Sequence, residues 1–320
     1  MVSIGYTMMG EQRAPRQLIY DAVLAEKVGV DFAVISDHYH PWVEAQRHAP
    51  FTWSVLGAAA QATERLSFTT YVTCPILRYH PALVAQMAAT MGLLAEGRFR
   101  LGLGAGEELN ENVVGKGWPA VDVRHEMLVE AVEIIRRLWD GGYVNHHGEY
   151  YDVESAKLFD RPEPAPPLGI AVSGQESCGL AGATADFMVS TEPKAELVQM
   201  FGAAGGQGKP VVGQIAVCWG EDEATCRTMA HQQFGWSLGG WKIQSELPNV
   251  PNFEAFVAAV SEDAVTEKVP CGPDTDKIVA SVKEFFDAGF TEVALVQIGP
   301  EQAAFCNLFE RELAAKLRAL

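Results

Sequence analysis

The chain has 320 residues, 48% of them hydrophobic and 20% charged, with a formal net charge of −17. That balance excludes a disordered chain, and it excludes nucleic acid and anionic membrane surfaces as partners, because both repel an acidic protein. Six cysteines without a C-x-x-C or paired spacing argue against disulfides and zinc, and no apolar run reaches membrane-spanning length.

The first residues, VSIGY, are strand-like and show no export-signal pattern, so the expectation is a cytosolic (cytoplasmic) protein. Pro15 opens a helix whose Leu18, Ile19, Ala22, Val23 and Leu24 recur at helical spacing until Gly29 stops it. Phe32 to Ile35 then form an unbroken apolar run, read as a strand buried on both faces, as in a parallel sheet. Ser36 ends it. Asp37, His38, Tyr39, His40 and Trp42 crowd titratable and aromatic groups at the C-terminal end of that strand, where α/β proteins place their ligands. The alternative is that Asp37 and His38 only cap a turn.

A helix over 52–64, a strand over 66–72, a helix over 81–94 and a strand over 99–103 follow, the last running into GAGEELNE before a helix over 121–139. Between 141 and 167 the rhythm breaks into a hairpin and a proline-rich run. Strands resume at 169–172, 186–190, 210–217 and 292–297, with helices at 178–184, 194–203, 222–234 and 276–288. An insertion over 235–273 precedes the last βα step, and a helix over 302–320 closes the chain. Eight alternating βα units predict a single-domain α/β protein, a (β/α)8 TIM barrel with two insertions, over a doubly wound sheet. No metal is expected. His146, His147 and Glu149 lack further ligands at useful spacing and are read as a solvated hairpin turn, while His80 and His231 are read as surface or packing histidines.

Three stretches together carry a resemblance: Ser36-Asp37-His38 with Pro41-Trp42, Gly97 to Glu107 with Asn110, and Val269 to Asp274. They resemble the luciferase-like barrel superfamily, in the branch of glucose-6-phosphate dehydrogenases that depend on coenzyme F420, a deazaflavin. The resemblance implies a bound deazaflavin, hydride transfer to or from an alcohol, sugar or sugar-phosphate carbon, and a homodimer. It places His38 as catalytic base, Glu107 as proton donor to the deazaflavin, Asp37 as a cofactor contact and Trp42 as a catalytic, substrate-side aromatic, with simple packing an equal alternative for Trp42. A neutral imidazole suits the base role, and a carboxyl whose pKa is raised by burial suits the acid role. The resemblance also puts Tyr71 and Val72 at a non-proline cis peptide beside the ring. Cys74, Ala105, Gly106 and Asn110 should line the ring and its side chain. Ser173, Gly174 and Gln175 fall at a helix start that could hold the cofactor's phosphate. Thr191 and Lys194 match the phosphate-binding pair of the sugar-phosphate enzymes, but Thr266 stands where their arginine is expected and Lys242 is the nearest counterpart of their second lysine. Two rivals remain: an FMN-dependent monooxygenase of the same superfamily, and a non-catalytic barrel that binds a flavin-type ligand.

Overall fold

A computed structural model describes residues 2–320, and among them eight parallel strands close into a barrel in the order β1–β2–β3–β4–β7–β8–β9–β10. The barrel strands are β1 (Ser3–Thr7), β2 (Phe32–Ile35), β3 (Ser67–Thr70), β4 (Phe99–Leu103), β7 (Leu168–Ala171), β8 (Phe187–Ser190), β9 (Val211–Val217) and β10 (Glu292–Gln297). Around them run α1 (Pro15–Lys27), α2 (Thr52–Ala62), α3 (Pro81–Leu94), α4 (Glu108–Glu111), α5 (Val121–Asp140), α6 (Gln175–Thr184), α7 (Ala195–Phe201) and α8 (Glu223–Phe234). The 235–273 insertion contributes α9 (Trp241–Gln244), α10 (Val250–Ala259) and α11 (Glu262–Thr266) before α12 (Thr275–Asp287), and α13 (Gln302–Leu308) and α14 (Ala314–Leu317) end the chain. The C-terminal helical stretch therefore stops three residues short of expectation and carries a π-bulge at Phe309–Leu313. No helix among the described residues is long and apolar enough to cross a membrane.

The barrel interior is filled by large rings set against missing side chains. A Cβ at Gly5 would lie 2.4 Å from the Phe32 ring, and one at Gly169 would lie 2.1 Å from the Phe187 ring. Below those rings, Arg100 forms a two-pronged ion pair with Glu292 at 2.9 and 2.8 Å, its guanidinium 5.5 and 5.1 Å from the centres of Phe32 and Phe187. The N-terminal mouth is thus plugged. Chemistry is left to the loops at the C-terminal mouth, as the parallel barrel dictates.

The first insertion holds the expected hairpin, β5 (Val144–His147) against β6 (Asp152–Ala156). His146 corrects the solvated-turn reading: it lies in β5, largely buried, with Nε2 3.0 Å from Glu130 Oε1 and Nδ1 3.1 Å from Arg137. The same Glu130 carboxylate accepts the N–H groups of Glu149, Tyr150 and Tyr151, so the pair ties the hairpin to α5. His147 does face solvent. No group of three or more metal-ligating side chains occurs among the described residues.

Candidate active site

Four loops meet at the C-terminal mouth, those after β1, β2, β3 and β4. The loop after β1 carries Glu11, the loop after β2 carries Ser36 to Trp42, and Glu107 sits where the loop after β4 turns into α4. His38 lies between the two carboxylates, with Nδ1 2.5 Å from Glu11 Oε1 and Nε2 3.1 Å from Glu107 Oε1. Glu11 is held in turn by the Ser36 hydroxyl at 2.6 Å. Glu107 Oε1 accepts from Asn110 Nδ2 at 2.8 Å.

This arrangement reverses the protonation states expected from residue type. Burial opposes the charge on His38, but the two carboxylates outweigh it and push the imidazole up to about 10, so it is a cation at neutral pH. Burial likewise opposes ionisation of Glu107, yet the His38 cation and the Asn110 amide hold its carboxyl below the usual range. The resting proton is therefore on the His38 ring, whose Nε2 faces Glu107. Glu11 was not singled out in the sequence, because the MMGEQR stretch after β1 carries none of the aromatic and histidine crowding that marks the loop after β2.

Asp37 is held on every side by the protein. Its Oδ2 accepts from Trp53 Nε1 at 2.9 Å and Thr73 Oγ1 at 2.8 Å, and its Oδ1 faces Arg78 and the Tyr79 hydroxyl at 3.2 Å each. Both oxygens are hydrogen-bonded within the protein and the residue is 2% exposed, so it anchors the floor of the site. Arg78 completes that floor by donating to the Asp37 carbonyl and to Glu111, and the Glu111 carboxylate accepts the Arg78 N–H at 2.9 Å. Burial outweighs Arg78 at Glu111 and, with Glu107 and Asp37 nearby, pushes it up to about 7.

Asn110 is also a positioning group: while its Nδ2 donates to Glu107, its Oδ1 accepts the Tyr39 and His40 N–H groups at 2.7 and 2.8 Å, which fixes the loop that bears His38. Trp42 is buried, stacked on Trp236 with ring centres 4.2 Å apart and set edge-on to the His38 ring at 5.0 Å. It backs the imidazole, and Trp236 and Trp241 of the second insertion, unremarked in the sequence, extend the same aromatic wall.

The Tyr71–Val72 peptide is cis, and the Tyr71 hydroxyl turns inward to donate to the Ser190 and Val212 carbonyls at 3.0 and 3.3 Å. Cys74 is buried against Gly106, where a Cβ would lie 2.5 Å from its sulfur. Ala105 and Gly106 are partly exposed beside Glu107. At the start of α6 the N–H groups of Ser173 and Gly174 are already taken by the Ser177 hydroxyl at 3.1 and 3.2 Å. The phosphate-holding expectation therefore narrows to the first-turn N–H groups of Gln175 and Glu176. Thr191 Oγ1 accepts from Trp241 Nε1 at 3.1 Å and keeps its own proton to donate, and the half-exposed Lys194 is ion-paired with Glu192 at 2.8 Å.

The family model described as luciferase-like monooxygenase matches residues 3–292. The chain is 36% identical to F420-dependent glucose-6-phosphate dehydrogenase 2 of Rhodococcus jostii (strain RHA1), over 100% of this chain and 98% of that protein. It superimposes on an F420-dependent secondary alcohol dehydrogenase in complex with an F420-acetone adduct with a TM-score of 0.92 and 28% identity, covering 99% of each chain. The coenzyme F420-dependent tetrahydromethanopterin reductase of Methanopyrus kandleri shares the fold, with a TM-score of 0.77 at 20% identity over 99% of each chain.

Proposed function

The chain belongs to the luciferase-like family, and on that premise we propose that it is a coenzyme F420-dependent dehydrogenase that moves a hydride between the cofactor and the carbon of an alcohol. The observation that carries this reading is the single imidazole clamped between Glu11 and Glu107 at the barrel mouth. When bound, coenzyme F420 supplies the two-electron hydride acceptor in one direction and the donor in the other.

The residues present fit that group. Gly174 has an extended backbone, φ −165°, and a Cβ there would meet nothing within 4 Å, so neither strain nor packing calls for glycine. What the missing side chain leaves open is the approach to the first-turn N–H groups of Gln175 and Glu176, where a helix start favours a phosphate. The Glu176 carboxylate is drawn aside toward His125, 3.3 Å away. Ala105 and Gly106, partly exposed beside Glu107, would flank the ring.

Oxidising an alcohol breaks its C–H bond with loss of hydride and releases the hydroxyl proton as the carbonyl forms. Glu11 lies 2.5 Å from Nδ1 on the buried side of the His38 ring, so Nε2 is the working nitrogen. Neutral His38 takes the hydroxyl proton, and the imidazolium returns it in carbonyl reduction. Glu107 Oε1, 3.1 Å from Nε2, can receive that proton and so act as the acid on the cofactor side. Trp42, edge-on to the imidazole, keeps water from its back face.

Two finer readings accompany this one. Six free cysteines, all buried, support a cytosolic enzyme that never forms disulfides. Apolar side chains left exposed on two barrel helices, Tyr20 and Val23 on α1 and Leu83, Leu93 and Leu94 on α3, support a homodimer, which light scattering would test. The reaction itself is tested by following the absorbance of F420 under anaerobic conditions with a panel of alcohols. Bleaching that depends on alcohol and not on oxygen is expected. No bleaching with any alcohol, or turnover only with oxygen, contradicts the proposal.

A further inference from the structure

Resting on the dehydrogenase reading, we infer that Gln46 is a positioning residue for the hydride transfer, which holds Trp42 behind the His38 imidazole and makes the second insertion part of the catalytic apparatus. Gln46 ends the single 3-10 turn Glu44–Gln46 and is 2% exposed, a polar side chain buried where Trp42, Trp236 and Phe253 cluster. Both ends of its amide are used there. Oε1 accepts the main-chain N–H of Trp42 at 2.9 Å, and Nε2 donates to the Gln233 carbonyl near the end of α8 at 3.0 Å. The same carbonyl accepts the Trp236 indole N–H at 2.8 Å, and Trp236 stacks on Trp42 with ring centres 4.2 Å apart. One amide therefore closes a circuit, from the backbone of Trp42 through α8 to Trp236 and back to the indole of Trp42.

The partners single out this residue type. A main-chain N–H only donates and a carbonyl only accepts, so a carboxylate satisfies the first partner alone and an apolar side chain satisfies neither. Stacked rings tolerate offset, so the stack does not fix how far Trp42 reaches along Trp236; the amide does. That reach matters because the Trp42 ring, 5.0 Å from the centre of the His38 ring, backs the imidazole whose Nε2 works on the hydroxyl. The other side of the imidazole is steadied from the same turn. Arg47 turns the chain back in a left-handed conformation, φ 73°, and the next N–H, that of His48, donates to the Glu11 carbonyl at 3.0 Å. The second insertion is the outer anchor of the turn, with Glu254 of α10 accepting the Glu44 N–H at 2.7 Å.

Gln46→Met and Gln46→Glu test the role against the wild type, in steady-state oxidation of reduced F420 by the carbonyl compound of whichever alcohol of the panel turns over fastest. Gln46→Met keeps the length of the side chain and loses both hydrogen bonds. Its kcat should fall by about tenfold or more, roughly one hydrogen bond acting on the placement of the reacting group, while F420 affinity stays within about twofold of wild type. Gln46→Glu keeps the acceptor for Trp42 and regains the donor only when protonated. Its rate relative to wild type should therefore be low at about pH 8 and recover toward about pH 5, as a buried carboxyl takes up its proton. The wild type gives a level baseline there, because His38 keeps its proton throughout that range. Since Gln46 acts through the Trp42 ring, Gln46→Met added to Trp42→Ala should lower kcat no further. A Gln46→Met enzyme with a lower thermal midpoint but unchanged kcat per folded molecule, a Gln46→Glu rate that does not recover in acid, or losses that multiply in the double variant would each show that Gln46 only holds the fold, and would overturn the inference. Where Gln46→Met or Trp42→Ala fails to fold, the pH profile of Gln46→Glu still decides. Failure of the wild type to reduce F420 with any alcohol overturns the dehydrogenase reading itself, and the inference with it.

Discussion

Burying an imidazole between two carboxylates fixes where the reaction's proton rests, and with it the pH range of each direction. Because His38 keeps its proton up to about 10, the cation needed for carbonyl reduction is present across neutral pH, while alcohol oxidation needs the neutral ring. Reduction rates should therefore be flat until pH rises through about 10, and oxidation rates should climb toward that same value. Glu11→Gln removes one of the two charges holding the proton, so both inflections should move to lower pH while F420 affinity is retained. Unmoved inflections would show that Glu11 does not set the protonation of His38. His38→Ala should lower turnover by roughly 10²–10⁴, the range for a lost general base, and leave F420 affinity within about tenfold. His38 and Glu107 were legible in the sequence as chemically apt residues at strand ends. Their charge states were not, because these depend on Glu11, 27 positions before His38 and placed beside it only by closure of the barrel.

The loop after β3 and helix α4 act together through Arg78, which joins the Asp37 and Glu111 carboxylates beneath the catalytic loop. Arg78→Met leaves two buried carboxylates without their cation, and such a loss costs about 3–5 kcal/mol. It should appear as a clear drop in thermal midpoint, with Asp37→Asn partly compensating in the double variant. Glu111, pushed up to about 7, binds its proton more tightly folded than unfolded, where the value is 4.5. Its contribution is complete below about 4.5 and is lost as pH rises through about 7, whereas that of His38 is complete below about 6.5 and is lost through about 10. Both signs agree. The melting temperature should fall from about pH 5 to about pH 10, and Glu111→Gln should flatten the acidic part of that decline; an unchanged profile in Glu111→Gln would assign the decline elsewhere. At this scale the periodic elements were readable from their hydrophobic spacing, α3 and β4 to the residue. The second insertion was not. Its apolar residues have no repeating spacing, and the stacking of Trp236 on Trp42 joins positions nearly two hundred residues apart.

For the whole molecule, eight βα units and a plugged N-terminal mouth leave one end of the barrel for chemistry, and that end is electronegative in a chain of net charge −17. The architecture was legible in the alternation, because eight short apolar strands, each followed by a helix in one 320-residue chain, favour a closed parallel barrel over a doubly wound sheet. The cofactor rests on more local features: the His38 clamp, the open approach above Gly174 and the free first turn of α6. The most direct test is a fluorescence titration of the purified protein with F420 and, separately, with FMN. The account predicts that F420 binds far more tightly, with Gly174→Val weakening it by blocking the helix start. Tighter binding of FMN, or no binding of F420, would contradict it.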